Sequence, residues 1–444
     1  MMNSEFRRYG LEISLFLLCF ANLFFSLFPQ TLLYLVCLVS ACYRLSRPCL
    51  AFICLNWLKD VNHAFFFLNL HIPHMAPVTV VLGLMLISGF LVSQGRVLIK
   101  RGMNLWLVII YLLITYFVAG NYIYSSDNVS TLLTTGILTY VSYAYIITYR
   151  RKCDFYLLAL YSTIFALYLL QLNVVANHYG RPESILDFGF YRKNVGTDMY
   201  VGLGLADTGI LYATHYQFFG TMISMCVTLL FATIQINKMK YSILFIFSII
   251  VIGYTGARQY LGIFFVIFFI YLLFTKMNKS FKMLFFVGGV LLVLFIVNDT
   301  SLNEYFLVLE ERGIYVGTGR DVLLYRGLEI FRSYPLLGVG FNGYDFMGNH
   351  NAYPHNMIVE MLADLGIVGS GIFFILVFMK CEGIKYLYNK KLKVVGFYIF
   401  LTFFLRSMVS LSFAQNIIIF STLCALAFFR DKDFPNKKIQ RNAI

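Results

Sequence analysis

Three short stretches hold the residues of this chain best suited to acid–base or phosphate chemistry: Thr255-Gly-Ala-Arg258, Gly317-Thr-Gly-Arg320-Asp321 and Pro354-His355-Asn356. Arg258 sits between two apolar runs that are short for full membrane crossings, and an arginine at that depth is costly unless it snorkels, pairs or faces a polar cavity. Its planar fork suits phosphate oxygens. Arg320 follows a glycine and opens a helical pattern, so main-chain amides gather there, and a helix start favours anions. A salt bridge from Arg320 to Asp321 or Glu310 is the plainer alternative. His355 follows a proline that restricts the approach of the chain, and histidine is the side chain whose ordinary pKa lies near neutrality. In that position it suits removal of a proton from an acceptor hydroxyl; capping of the following helix is the competing use.

Elements that must hold these residues are almost all apolar. Of the 444 residues, 60% are hydrophobic and only 13% charged, where a soluble domain has about 25% charged. Apolar runs long enough to cross a bilayer recur throughout. They predict spans near 11–28, 32–43, 48–72, 77–94, 104–124, 131–148, 154–175, 209–235, 241–256, 260–274, 281–297, 356–379, 394–412 and 414–429. The expected fold is all-α: a polytopic transmembrane helical bundle of about 12–14 spans forming one integral membrane domain over 1–444. A closed barrel would alternate apolar and polar residues, which these runs do not. Arg7-Arg8 precedes the run 11–28 without a small-residue cleavage site, so that run reads as a first helix.

The net charge of +14 does not indicate nucleic acid, because most of the Lys and Arg lie in short clusters between apolar runs, as in cytoplasmic loops. With those clusters inside, both termini are cytoplasmic and two longer loops, about 176–208 and about 298–355, face outward. Ten basic residues escape the clusters: Lys59, Arg181, Arg192, Lys193, Arg258, Arg312, Arg320, Arg326, Arg332 and Arg406. Eight of the ten are arginine, the cation favoured where phosphate is gripped, so the outer side leans toward an anion site. Within the second loop, Leu323, Leu324, Leu328 and Phe331 form an apolar stripe over 320–333, which predicts an amphipathic helix lying on the membrane surface.

Several tempting patterns carry less. Gly338-Val-Gly-Phe-Asn-Gly343 has the spacing of a dinucleotide fingerprint but lacks the strand and βαβ unit that give it meaning, and reads as a turn folding the loop back to the membrane. His350 with His355, and His71 with His74, lack a carboxylate or cysteine cluster, so no metal is expected. The nine cysteines fall mostly in apolar segments without a Cys-x-x-Cys pair and read as packing residues. His215, with Tyr216 and Gln217, is polar within an apolar run; it lines the same cavity or bonds between helices.

In the order Thr255-Gly-Ala-Arg258, Gly319-Arg320 with Leu324-Tyr325 and Gly327, Tyr334-Pro-Leu-Leu-Gly-Val-Gly340, Pro354-His-Asn356 and Leu365-Gly-Ile-Val-Gly369, the chain resembles the O-antigen polymerase/ligase superfamily of bacterial envelope glycosyltransferases. The resemblance lies in roughly 241–370; the first 200 residues add only their hydropathy pattern. It implies a metal-independent, inverting glycosyl transfer without a cofactor on the periplasmic face of the bacterial inner membrane. Donor and acceptor would be oligosaccharides on undecaprenyl pyrophosphate. Carried over by position, Arg258 and Arg320 would bind the pyrophosphate and His355 would act as base. Outside that positional match, Arg181, Arg192, Lys193, His215, Tyr353 and Asn356 are expected to help bind substrate. A chain-length regulator protein is left as a candidate partner. Polymerase is the favoured reading, from the Pro-Leu-Leu-Gly-Val-Gly run followed by Pro-His-Asn and a span count above twelve. The alternatives are a ligase transferring polymer to the lipid A core and, from another class, a lipid-linked glycan flippase. A transporter would place ionisable groups near the bilayer midplane on broken helices in paired halves.

Overall fold

With no water in a bilayer core to satisfy main-chain groups, an apolar run is stable there only when it bonds to itself as a helix. The computed structural model of the chain describes residues 2–25, 27–56, 78–123, 127–176, 320–347, 354, 356–379 and 417–428, with isolated helical positions between 244 and 287. The described regular structure is helical, with no strand among the described residues. The first helices are α1 (Met2–Phe25), α2 (Gln30–Arg44), α3 (Arg47–Asn56), α4 (Val78–Arg101), α5 (Met103–Val118), α6 (Asp127–Thr148) and α7 (Phe155–Ala176). They are followed by α8 (Arg320–Ser333), α9 (Gly343–Phe346), α10 (Met357–Phe374, prolonged by a π-helical turn over Ile375–Met379) and α11 (Ile418–Ala425).

These boundaries follow the apolar runs closely at 32–43 and 154–175; at 131–148 the helix begins four residues earlier, and at 77–94 it continues seven residues further, to Arg101. The run 48–72 is described only as far as Asn56, and 241–256 and 281–297 only at isolated helical positions. The runs 209–235, 260–274 and 394–412 lie outside the described residues. By length and composition, Arg8–Phe25, Val81–Arg101 and Met357–Val377 qualify as full membrane spans, and several shorter described helices are equally apolar. The protein is a helical membrane protein.

The chain divides into two compact units, each assembled from separated stretches: 1–86 with 151–308, and 87–150 with 309–444. In the first unit α1 and α2 pack on α7. Asp154 begins α7 with its carboxylate, which accepts from the Leu157 amide at 3.1 Å and from Tyr9 Oη and Arg8 Nη2, both at 3.1 Å. Deeper in, the fully buried Glu12 accepts from Arg44 Nε at 2.8 Å and from Tyr161 Oη at 3.3 Å, joining α1, α2 and α7. Phe16 stacks on Phe247 with ring centroids 3.7 Å apart.

In the second unit α6 packs along α11, where Ser421 Oγ donates to the Gly136 carbonyl at 2.8 Å. Arg101, at the end of α4, lies over the Phe428 ring and donates to the Ala427 carbonyl at 2.8 Å. Tyr140 Oη donates to the Leu98 carbonyl at 2.8 Å, and Asn104 Nδ2 to the Leu376 carbonyl at 3.0 Å. These bonds tie α4, α5 and α6 to the residues around α11 and to the π-helical turn that prolongs α10.

Candidate functional site

Of the residues singled out in the sequence, Arg320 and Asn356 are described; Arg181, Arg192, Lys193, His215, Arg258, Tyr353 and His355 lie outside the described residues, as do His71, His74 and His350. Arg320 is the first residue of α8, where the Gly-Arg pattern placed a helix start. Asn356 is the N-cap of α10: its backbone is extended (φ −141°, ψ 111°) and its Oδ1 accepts from the amides of Ile358 at 3.0 Å and Val359 at 3.2 Å. Two of the amides that a helix start leaves open are thereby satisfied. The cap is Asn356, and its carbonyl oxygen is engaged by its own helix.

α8 and α10 run parallel. Gly327 lies against Val359 and beside Pro354, and one turn further along Ile330 meets Ala363 in a small core with Tyr344. A Cβ at Gly327 would come within 2.6 Å of Val359 Cγ1, so the bare glycine sets how closely the helices approach. The N-terminal ends of both helices therefore lie at the same end of the pair, one carrying Arg320 and the other following Pro354-His355-Asn356. The apolar stripe of α8 differs from expectation: Gly327 and Ile330 are its buried positions, while Leu323, Leu324, Leu328 and Phe331 are half-buried. The closest protein contact follows the residue with no side chain rather than the leucines. Tyr344 Oη donates to the Leu323 carbonyl at 2.7 Å, and Arg326 Nη2 to the Met347 carbonyl at 2.6 Å, so α9 and the residue after it are tied to α8.

The glycine-rich run between α8 and α10 has a specific task. α10 is broken at Gly366 (φ 64°, ψ −171°), nine residues inside a 21-residue candidate span beginning at Met357. A break there strands carbonyls on one side and amides on the other. The loop meets both. Amides of Val339 and Gly340 donate to the carbonyls of Ala363 at 3.1 Å and Asp364 at 2.7 Å; amides of Ile367 and Val368 donate to the carbonyls of Pro335 at 2.8 Å and Leu336 at 3.0 Å. At the crossing stand two glycines of positive φ, Gly338 (66°) and Gly366 (64°). A Cβ on Gly338 would overlap the Asp364 carbonyl, and one on Gly366 would overlap the Leu336 carbonyl. The two glycine motifs, Pro-Leu-Leu-Gly-Val-Gly and Leu-Gly-Ile-Val-Gly, are the two halves of one backbone lock.

Three further residues secure the lock, none of them singled out in the sequence. Asp364, 1% exposed, accepts from the amides of Asn342 at 3.0 Å and Tyr344 at 2.8 Å. Asn342 adopts the left-handed conformation (φ 66°), which asparagine tolerates better than most residues. Asn121, buried just after α5, donates from Nδ2 to the carbonyls of Val339 at 3.1 Å and Phe341 at 2.9 Å. A signal for Asp364 was present in the sequence: a carboxylate inside an apolar run is rare and marks a polar task. Nothing local marked Asn121, whose partners lie more than 200 positions away. The run 338–343 is a turn, as expected, and its amides serve α10 rather than a nucleotide.

Residues 243–374 match a family model described as O-antigen ligase. The match begins near the apolar run that precedes Arg258, takes in Arg320 and His355, and ends at Phe374, the last residue of α10. No curated protein and no solved structure matches the chain. Over residues 243–374, under a third of its length, the chain thus matches the O-antigen ligase family, in agreement with the resemblance its motifs carry to the O-antigen polymerase/ligase superfamily.

Proposed function

We propose that this protein is an O-antigen polymerase: a membrane glycosyltransferase that joins undecaprenyl-pyrophosphate-linked repeat units on the periplasmic face of the bacterial inner membrane. The observation that carries the reading is the parallel packing of α8 on α10, which gathers the helix start bearing Arg320 and the helix start following His355 at one end. Pyrophosphate is already a good leaving group, and what its departure needs is fixed positive charge aimed at the developing anion. Arg320 and Arg258 serve that need, and the main-chain amides at the start of α8 reinforce it. His355, neutral, takes the proton of the acceptor hydroxyl as that oxygen attacks the anomeric carbon from the face opposite the pyrophosphate, inverting the centre. Arg181, Arg192, Lys193, His215, Tyr353 and Asn356 serve substrate binding; with its oxygen engaged by the helix, Asn356 has its amide nitrogen to offer.

The polymerase assignment leans on the Pro-Leu-Leu-Gly-Val-Gly to Pro-His-Asn sequence and the number of apolar runs. Ligation of finished polymer to the lipid A core is a second reading, favoured by the description of the matching family model. A broken helix is also a transporter's device, but the groups exposed by the break at Gly366 bond to residues 335–340, and that argues for a scaffold rather than an ion site. The test is His355→Ala, Arg258→Ala and Arg320→Ala in the native strain, each checked for presence in the membrane, with lipopolysaccharide resolved on a gel. Core bearing a single repeat is the expected result. Bare core with polymer retained on the lipid carrier would make the protein the ligase, and an unchanged ladder for His355→Ala would remove the base assignment.

A further inference from the structure

We infer that Tyr344 and Asp364 are positioning residues that fix the distance between the phosphate arm and the base arm of the site, an inference resting on the glycosyl-transfer reading above. The connection is continuous, and buried at Asp364 and Tyr344. Asp364 lies on α10, two turns beyond the Asn356 cap that follows His355, and its Oδ1 accepts from the Tyr344 amide at 2.8 Å. From the other end of the same residue, Tyr344 Oη donates to the Leu323 carbonyl at 2.7 Å, less than one turn from Arg320 on α8. Both side chains are 1% exposed.

Tyr344 thus spans the two helices, with its backbone anchored to one and its hydroxyl to the other. The Tyr344 ring also packs with Ile330 and Ala363, so the spacer is supported along its length. The second Asp364 oxygen holds the Asn342 amide at 3.0 Å, which keeps the left-handed turn before α9 in place. Asp364 lies two turns from the end of the pair where the reaction is placed, and Tyr344 meets that end only at the Leu323 main chain; each acts through the helix it holds. Transfer requires the attacking hydroxyl and the departing pyrophosphate to be aligned within fractions of an ångström, and a shift of about 1 Å costs on the order of 100-fold. Binding of the donor alone needs only the phosphate arm.

The variant that tests this is Tyr344→Phe, which keeps the ring and removes the bond to Leu323. Its control is Tyr140→Phe, which removes a tyrosine-to-carbonyl bond of similar length, 2.8 Å to Leu98, from a fully buried residue elsewhere in the same unit. Purified full-length proteins in nanodiscs would be given a synthetic undecaprenyl-pyrophosphate repeat unit. The number of active sites would be set by titrating bound donor, so that turnover is read per binding-competent molecule. Tyr344→Phe should lower kcat at least ~10-fold with KM for the donor within about twofold, while Tyr140→Phe leaves both within about twofold. Asp364→Asn, which keeps one acceptor oxygen, should retain more turnover per site than Asp364→Ala. Equal kcat per site for Tyr344→Phe and wild type would overturn the positioning role while leaving the transfer reading intact. Absence of transfer by the wild-type protein would overturn both.

Discussion

At the scale of single residues, the glycines of this chain separate into those that must be glycine and those that need not be. Gly338 and Gly366 combine positive φ with a carbonyl where a Cβ would go. Alanine at either should cost roughly 2–5 kcal/mol from left-handed strain plus overpacking. Gly371, in the same α10, has open space at its Cβ position, so alanine there should be neutral or stabilise by about 0.5–1 kcal/mol. Thermal unfolding of the three variants in detergent should rank them accordingly, and a Gly338→Ala protein as stable as wild type would contradict the lock. Asn121→Ala should cost about 1–3 kcal/mol in the same assay, because a buried and a half-buried carbonyl lose their donor together. The glycine positions were visible in the sequence as motifs, but their partnership was not: what makes Gly338 and Gly366 indispensable is each other's neighbouring carbonyl, a contact that appears only once the chain is folded.

At the scale of elements, helices were legible because their cause is local. An apolar run in a bilayer has little choice but to satisfy its own backbone, and so the runs 32–43 and 154–175 became α2 and α7 almost to the residue. The interruption of α10 was hidden by the same apolar character, since Leu365-Gly-Ile-Val-Gly369 reads as uninterrupted membrane sequence. The stripe of α8 was read from leucine spacing, whereas its buried face is set by Gly327, a residue that hydropathy scores as nothing. How α1, α2 and α7 are joined was equally out of reach, because Glu12 and Arg44 are 32 positions apart and come together only when the helices pack. Arg44→Ala should leave the fully buried Glu12 carboxylate without its cation, at a cost of about 3–5 kcal/mol. Glu12→Gln combined with Arg44→Ala should cost less than Arg44→Ala alone, and a double-mutant cycle on unfolding midpoints would measure the coupling.

At the scale of the whole molecule, charge distribution makes a statement about sidedness that can be checked directly. With basic clusters inside, alkaline phosphatase fused after Lys152 should be inactive and fused after Gly189 should be active in the host periplasm; the reverse pair of activities would invert the topology and with it the face proposed for His355 and Arg320. The polymerase and ligase readings share that face, so sidedness tests the transfer chemistry without deciding between them. The mutual capping of α10 and the loop 335–340 also bears on how such a chain is made. A continuous helix can enter the bilayer as a finished object, but α10 cannot: alone, it would carry the open groups of Ala363, Asp364, Ile367 and Val368 into hydrocarbon. The segment that completes it is translated earlier and must wait beside the translocon until α10 emerges. Biogenesis is therefore coupled across about thirty residues, and the amides of 339, 340, 367 and 368 should exchange with deuterium as one cooperative unit.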